Sequence, residues 1–383
     1  MNQLSAFAAL GVIASGLLAI FLSSKVFPSN ETTGRFSTID GLRGYLAFFV
    51  FLHHSCIWYF YLHTHSWEVP PSNLYTHFGQ SSVAVFFMIT GFLFFTKLFD
   101  AHKHPISWKK LYISRIFRIA PLYYFTIAVL LIIVAILSRG ELNGPLTDIR
   151  HEIWRWIQFT VFGAPNINGI EHTALIVAGV TWSIAYEWVF YLLLPLASLA
   201  FGLRPSKKAL FVGILGLGIG ISMHADLKLL GVFLSGLTAA ALVRSDQFRA
   251  IAKRKISSLI CILCVVITVE FFDSAYYLLP TLLLTVSFSI IAGGNDLFGI
   301  LSNSLSINLG RLSYSIYLMH GLLLFITFNF VLSPIDLLSY SSDQYWLLIT
   351  VMAPVLIFIS TLTFHFIEQP GLKFGVKLAN KSK

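Results

Sequence analysis

An arginine at one end and two histidines deeper inside lie in an apolar stretch at residues 40–55, DGLRGYLAFFVFLHHS, where such groups are costly unless they line a site. Arg43 and His54 are 11 residues apart. On a helix they would fall within about 20° of one face and about 16 Å apart along the axis. His53 would lie about 80° from that line. The spacing favours His54 as the reactive imidazole and predicts a site for a long ligand with an anionic end.

A second basic group stands at Arg115 and Arg118, which are neighbours on a helix surface because they are three residues apart. Guanidinium groups match the geometry of phosphate oxygens, so this pair predicts a phosphate-binding site. The alternative is a basic anchor at the cytoplasmic membrane surface. Glu187 lies in the apolar segment TWSIAYEWVFY. A carboxylate there needs a partner, and His54 or an arginine would serve.

Aromatic and hydroxyl side chains mark two further candidate regions. Trp182 and Ser183 indicate either an entrance for a sugar, because indole planes suit sugar faces, or a tryptophan of the membrane-interface belt. Tyr314, Tyr317 and His320 follow one helix face at steps of three residues. This stripe predicts either the lining of a channel or polar contacts that hold membrane helices together.

The composition identifies the class of chain that must position these groups. The chain has 383 residues, of which 56% are hydrophobic and 11% charged, whereas about 25% are charged in soluble domains. With a mean hydropathy of +0.78, the sequence predicts an all-α, polytopic transmembrane helix bundle in a lipid bilayer. The net charge of +9 is explained by the basic residues of the loops, so no nucleic-acid partner is expected.

Eleven apolar segments alternate across the predicted bilayer, beginning with the N-terminus outside. This topology leaves only four of the 26 basic residues outside and places the C-terminus in the cytoplasm. The four are Arg139, Arg150, Arg155 and Lys228. The segments lie at about 4–22, 41–62, 79–99, 116–137, 182–201, 209–225, 227–243, 256–272, 276–292, 308–332 and 345–366.

The predicted organisation is an extra N-terminal helix with its linker (1–34), a membrane domain (35–372) and a basic cytoplasmic tail (373–383). Segment 4–22 has no positive charge before it, and basic residues follow it, so we expect a retained helix rather than a signal peptide. Residues 148–161, which include Trp154 and Trp156, predict an interfacial helix on the outer face.

Several other chemistries are not indicated. The three cysteines all lie in apolar runs, which argues against a disulfide framework. The histidines between residues 63 and 77 lack the spacing of metal ligands, so no metal is expected. Neither a GxSxG elbow nor a Walker loop occurs.

Six motifs, from residue 39 to about residue 370, give the chain a specific resemblance to the acyltransferase-3 family of integral membrane acyltransferases. They are the Arg43–ten-residue–His54 element, VFFMITGFLFF, the RxxR of SRIFRIAPLYY, TWSIAYEWVFYLLLP, LGRLSYSIYLMH and FIEQP. The chain departs from the family pattern at Thr90, where serine is usual, at Gln369 in the final motif, and in the segment that precedes the usual first helix.

The resemblance implies ten family helices besides the N-terminal one. It also implies transfer of an acyl group, commonly acetyl, from cytoplasmic acyl-CoA to a hydroxyl of a cell-envelope glycan or lipid-linked saccharide. Arg43, Arg115 and Arg118 would bind the phosphates of the acyl-CoA. His54 would act as general base and pass the proton to the leaving thiolate, with a covalent acyl-histidine as the alternative. Glu187 would orient the base or bind the acceptor.

For an acyltransferase of this kind, Trp182 and Ser183 would line the acceptor entrance and Tyr314, Tyr317 and His320 the acyl channel, and the structural alternatives given above stay open for both groups. A proton-coupled secondary transporter using His54 and Glu187 is the alternative from another class, although no inverted repeat is visible. The expected location is the bacterial inner membrane. A separate protein that accepts the acyl group is a further potential partner.

Overall fold

Apolar helices form the framework of the chain. The computed structural model describes residues 5–27, 36–332 and 338–381, and within these ranges the regular structure is helical apart from an isolated bridge between Ile167 and Ile170. The all-α class is therefore confirmed. The helices are α1 (Ala6–Val26), α2 (Ser37–Thr64), α3 (Asn73–Asp100), α4 (Trp108–Leu137), α5 (Leu146–Ile157), α6 (Thr181–Leu199), α7 (Lys207–Ser222), α8 (Leu227–Leu242), α9 (Asp246–Ala252), α10 (Lys255–Phe271), α11 (Leu278–Ala292), α12 (Ser304–Arg311), α13 (Ser313–Ile326), α14 (Ser342–Thr363) and α15 (Gln369–Lys381).

Seven helices among the described residues are long and apolar enough to cross a membrane, as a polytopic bundle requires. An eighth span is formed if α8 and α9, which meet at a bend of 106°, are counted together. The seven are α1, α2, α3, α4, α6, the Ser313–Val331 span of α13 and the Ser342–Lys381 span of α14 and α15.

The predicted number of eleven spans is not confirmed. Three of the predicted segments form α7, α10 and α11, which have 16, 17 and 15 residues. At about 1.5 Å per residue these helices are shorter than a hydrocarbon core of about 30 Å. The predicted domain boundary between residues 34 and 35 lies outside the described residues, and the predicted basic tail continues α15 as a helix to Lys381.

Several helices begin where a short polar side chain satisfies a backbone N–H that has no partner within the helix. The Ser107 hydroxyl accepts a hydrogen bond from the Lys110 N–H at the start of α4, and Ser206 caps α7 in the same way. At the other end of α2 the chain turns at His65, which has a left-handed backbone conformation. Short polar side chains thus define where α4 and α7 begin, and a left-handed residue defines where α2 ends.

The chain divides into two compact units. The first comprises residues 1–95 and 231–361, and the second comprises residues 96–230 and 362–383. The first unit holds α1, α2, the helices from α9 to α13, and most of α3, α8 and α14. The second unit holds α4 to α7 and α15.

In the first unit α2 lies unusually close to α12, because glycines face each other across the contact. A Cβ atom on Gly310 would lie 1.8 Å from the carbonyl oxygen of Asp40, and one on Gly41 would lie 2.0 Å from that of Leu301. Gly44 faces the backbone of Gly310 itself. Small residues at such contacts let helix backbones approach and pack by van der Waals attraction. The contact holds the beginning of α2, and Arg43 with it.

In the second unit glycines bring α15 against α4. Gly371 packs on the ring of Pro121, and Gly375 packs on Phe117. The amphipathic α5 buries Ile149 and Trp156, and it covers most of the interfacial helix predicted over residues 148–161. The indole N–H of Trp156 donates to the carbonyl of Pro165, 2.9 Å away.

The α2–α12 contact predicts a large difference between two glycine substitutions. Gly310→Ala should lower the thermal unfolding temperature by several degrees, because the methyl group must displace backbone at a cost of roughly 1–3 kcal/mol. Gly218→Ala in α7 is the control, since a Cβ there meets no atom within 4 Å and alanine is the better helix former. Thermal unfolding of the two purified variants measures the difference. Equal unfolding temperatures would contradict this account of the contact.

Candidate functional site

Helix α2 carries both residues of the predicted donor-binding and catalytic pair without a break. Arg43 lies half-buried in the second turn, and His54 lies buried farther along the same helix. Because α2 is continuous from Ser37 to Thr64, their axial separation is the helical rise of about 16 Å. The predicted arrangement of the two residues on one helix is present.

His54 makes a polar contact outside α2 with His320 of α13. Nδ1 of His54 lies 3.1 Å from Nε2 of His320, and the ring centroids are 5.0 Å apart with planes inclined by 28°. Each ring also bonds its own helix: Nδ1 of His54 is 3.0 Å from the carbonyl oxygen of Val50, and Nδ1 of His320 is 3.1 Å from that of Ile316. The structure therefore joins two residues to which the sequence assigned separate roles.

The neighbouring His53 has a different environment. Its Nδ1 lies 2.7 Å from the carbonyl oxygen of Tyr75 in α3, and Gly79 leaves room for its ring. The ring of Trp67, from the loop after α2, lies nearly parallel to that of His54 with centroids 6.2 Å apart. His53 thus connects α2 to α3, while His54 has an aromatic neighbour on one side.

The tyrosines of the α13 stripe lie in the same unit. Tyr317 is buried, with its ring centroid 6.0 Å from that of His320 and 6.2 Å from that of Phe86. Tyr314 is half-buried. Tyr317 and His320 therefore share a face, as their spacing predicted.

In the second unit the arginine pair of α4 meets α6 at Tyr191. The Arg115 guanidinium hydrogen-bonds the Tyr191 side chain and lies 5.9 Å from the ring centroid. Arg118 and Glu187 also lie within electrostatic range of Tyr191. Glu187 precedes Tyr191 by four residues, so the two share a helix face. The unit thus collects two guanidinium groups, a carboxylate and a phenol in one cluster.

Trp182 lines a cavity of about 590 Å³ in the second unit, and its indole is 38% exposed. The other predicted residue, Ser183, is buried and donates its hydroxyl hydrogen to the carbonyl of Val180, 3.1 Å away. Aromatic, basic and amide side chains line the cavity together with Trp182. They include His151, Trp154, Arg155, Gln158 and Tyr186.

Sequence reasoning missed three residues of these sites. Tyr191 carries a usable signal, because it lies one helical turn after Glu187. Trp67 and Tyr75 carry none, since their contacts with the two histidines depend on how a loop and a second helix return to α2.

The amino-acid sequence places the chain in a known family. The sequence profile of the acyltransferase-3 family, which describes an acyltransferase domain, matches residues 36–367. The chain belongs to this family. The matched range includes every candidate residue described above, and it confirms the resemblance inferred from the six motifs.

This acyltransferase-3 chain also has relatives among curated proteins. Two of them, from Staphylococcus aureus strains COL and MW2, each carry the name "Putative O-acetyltransferase" and are 25% identical to this chain over 340 residues. The match covers 79% of this chain and 54% of each relative, so the chain spans about half the length of the curated relatives it matches. No solved structure matches the chain.

Proposed function

We propose that this chain is a membrane O-acyltransferase. It moves an acyl group, by preference acetyl, from cytoplasmic acyl-CoA to a hydroxyl of a cell-envelope glycan or lipid-linked saccharide at the bacterial inner membrane. The observation that carries the proposal is the family match over residues 36–367, which contains Arg43 and His54 on a single helix. The names of the Staphylococcus aureus relatives support an O-acetyl product.

The proposed reaction is a direct transfer with His54 as general base. Its imidazole accepts the proton of the acceptor hydroxyl while the hydroxyl oxygen attacks the carbonyl carbon of the thioester. The tetrahedral intermediate collapses, the C–S bond breaks, and the imidazolium returns the proton to the coenzyme A thiolate. The products are an ester and coenzyme A, and the base recovers its starting state.

Arginines supply the proposed contacts with the donor phosphates. Arg43 lies near the start of α2, and Arg115 and Arg118 lie in the second and third turns of α4. The topology predicted from the basic loop residues assigns all three arginines to the cytoplasmic side. A guanidinium group that is half-buried, as Arg43, Arg115 and Arg118 are, interacts with an anion more strongly than a fully solvated one.

The cavity beside Trp182 is the proposed binding site for the saccharide part of the acceptor. Its tryptophans present flat apolar surfaces, while Gln158 and Arg155 offer hydrogen-bond donors. A concave site with few polar groups among aromatic ones is typical of small-ligand sites. The alternative acceptor is a separate acyl-accepting protein that holds the saccharide. Family membership favours acyl transfer over the alternative of a proton-coupled transporter.

The proposed base predicts the outcome of a transfer assay. With labelled acetyl-CoA and a panel of envelope saccharides, the parent protein should release coenzyme A and form a labelled ester. His54→Ala should reduce the rate by at least about 100-fold, the scale of losing a general base. His63→Ala is the matched control, because His63 lies on the same helix but is exposed. Ester formation that survives in His54→Ala at the parent's rate would exclude His54 as the base.

The proposed phosphate contacts predict a change in donor affinity. Arg115→Gln and Tyr191→Phe should raise KM for acetyl-CoA, the first by roughly 10-fold or more, because a charge-assisted contact to phosphate is worth about 1.5–3 kcal/mol. Lys109→Gln removes the same charge from an exposed position of α4 and should leave KM unchanged. If all three variants shift KM equally, general surface charge rather than a phosphate site accounts for the effect.

The proposed acceptor cavity predicts that a substitution in its lining changes KM for the saccharide but not KM for acetyl-CoA. Trp182→Ala should raise KM for the saccharide by up to roughly 10-fold, because an aromatic stacking contact is worth about 0.5–1.5 kcal/mol, and KM for acetyl-CoA should stay unchanged. Phe125→Ala in α4 is the control, since its ring is 39% exposed and that of Trp182 is 38% exposed. An unchanged saccharide KM in Trp182→Ala would place the acceptor elsewhere.

A further inference from the structure

The two nitrogens of His54 have different environments. Nδ1 faces both the carbonyl oxygen of Val50 at 3.0 Å and Nε2 of His320 at 3.1 Å. Nε2 of His54 has no hydrogen-bond partner among the residues that the structure describes. A carbonyl oxygen can only accept, so the contact with Val50 favours the tautomer in which Nδ1 of His54 carries the hydrogen.

The same reasoning applies to His320 from its own side. Its Nδ1 lies 3.1 Å from the carbonyl oxygen of Ile316, which again favours hydrogen on Nδ1. In a neutral imidazole the other nitrogen then carries a lone pair. Nε2 of His320 is therefore an acceptor. The Nδ1–H of His54 can donate both to this nitrogen and to the carbonyl oxygen of Val50. If both rings instead carried hydrogen on Nε2, the Nδ1 lone pair of His54 would face the carbonyl oxygen of Val50, and that of His320 would face the carbonyl oxygen of Ile316.

Burial distinguishes what the two rings can touch. His320 is 0% exposed as a residue, whereas His54 retains 9%. His320 is thus enclosed by α2 and α13 and by the rings around it, including Tyr317 at 6.0 Å. Of the two residues, only His54 retains any exposed surface, so His54 is the one to which the proposal assigns substrate contact. Any effect of His320 on the reaction must pass through His54.

We propose that His320 is a positioning residue that holds His54 in the Nδ1–H tautomer, so that the lone pair of His54 Nε2 is presented to the acceptor hydroxyl. This inference rests on the proposed function, and it replaces the channel-lining role predicted for His320. When Nε2 of His54 takes the hydroxyl proton, the imidazolium keeps its Nδ1–H bonds to Val50 and His320. When that proton passes to the thiolate, both rings regain their starting tautomers without a net change of charge.

Nitrogen NMR tests the tautomer without requiring turnover. The protein is labelled with ¹⁵N-histidine in lipid nanodiscs, and subtraction of the His54→Gln spectrum isolates the His54 signals. The expected result is a protonated Nδ1 and a bare Nε2 in the parent, and a mixture of tautomers in His320→Leu. A parent His54 with hydrogen on Nε2, or an unchanged tautomer in His320→Leu, would overturn the proposal. Because no acceptor is needed, this readout stands even if acetyl transfer is not found.

Two amide substitutions test the consequence for the rate. Glutamine places its amide near the position of the histidine Nε2 and can accept the His54 hydrogen, whereas asparagine reaches only the Nδ1 position. His320→Gln should keep most of the parent's kcat. His320→Asn and His320→Leu should lose about 10- to 100-fold, less than the roughly 10⁴-fold for a wrong tautomer in serine proteases, because Val50 still orients the ring.

The control measurement is KM for acetyl-CoA, which should stay within about twofold in all three variants, since the interaction acts on the chemical step. Equal kcat values for the glutamine and asparagine variants would contradict the proposal, as would a loss that appears only in KM. If His320→Leu does not yield monodisperse protein, the comparison of glutamine with asparagine and the parent's NMR spectrum decide the question.

Discussion

Polar side chains inside an apolar helix bundle must form their hydrogen bonds within the protein, and here many form the first one with their own helix. Ser55, Thr126, His54 and His320 each bond the carbonyl oxygen four residues earlier. For a hydroxyl this bond satisfies the only donor. For an imidazole it fixes one nitrogen and leaves the other for a second purpose. The chemistry proposed for α2 depends on this constraint, because the contacts of Nδ1 with Val50 and His320 leave Nε2 of His54 for the substrate.

This constraint also separates what can be predicted from sequence from what cannot. The bond from a helical histidine to the carbonyl four residues earlier is local, so it follows from the helix prediction alone. The contact between His54 and His320 spans 266 residues and arises from the packing of α13 on α2. The three-residue spacing placed Tyr317 and His320 on one face correctly, but it could not indicate which helix that face would meet. Their role was therefore predicted from the stripe rather than from a partner.

Hydropathy predicted the apolar segments better than it predicted their lengths. The long helices α2, α3 and α4 contain the apolar segments predicted at 41–62, 79–99 and 116–137. The region from α7 to α11 was predicted as four spans, and it contains shorter helices and the 106° bend between α8 and α9. A hydropathy window averages over about 19 residues, so it does not register a break of a few residues. The cavity beside Trp182 could not be predicted from the sequence either. The chain before Trp182 turns through residues in the left-handed conformation, such as Phe159 and Thr160, and these positions do not hold the glycines that usually mark such turns.

The unbroken course of α2 from Ser37 to Thr64 makes the helix a molecular ruler. An α-helix has a fixed rise and cannot be compressed without breaking its hydrogen bonds. If Arg43 binds a phosphate and His54 contacts the thioester of one donor, the fixed distance between these two residues must match the length of the pantetheine arm, which every acyl-CoA shares. The thioester carbonyl then lies at the same position along α2 for acetyl, propionyl and longer donors. Discrimination between acyl chains has to come from whatever surrounds the carbon atoms beyond the carbonyl.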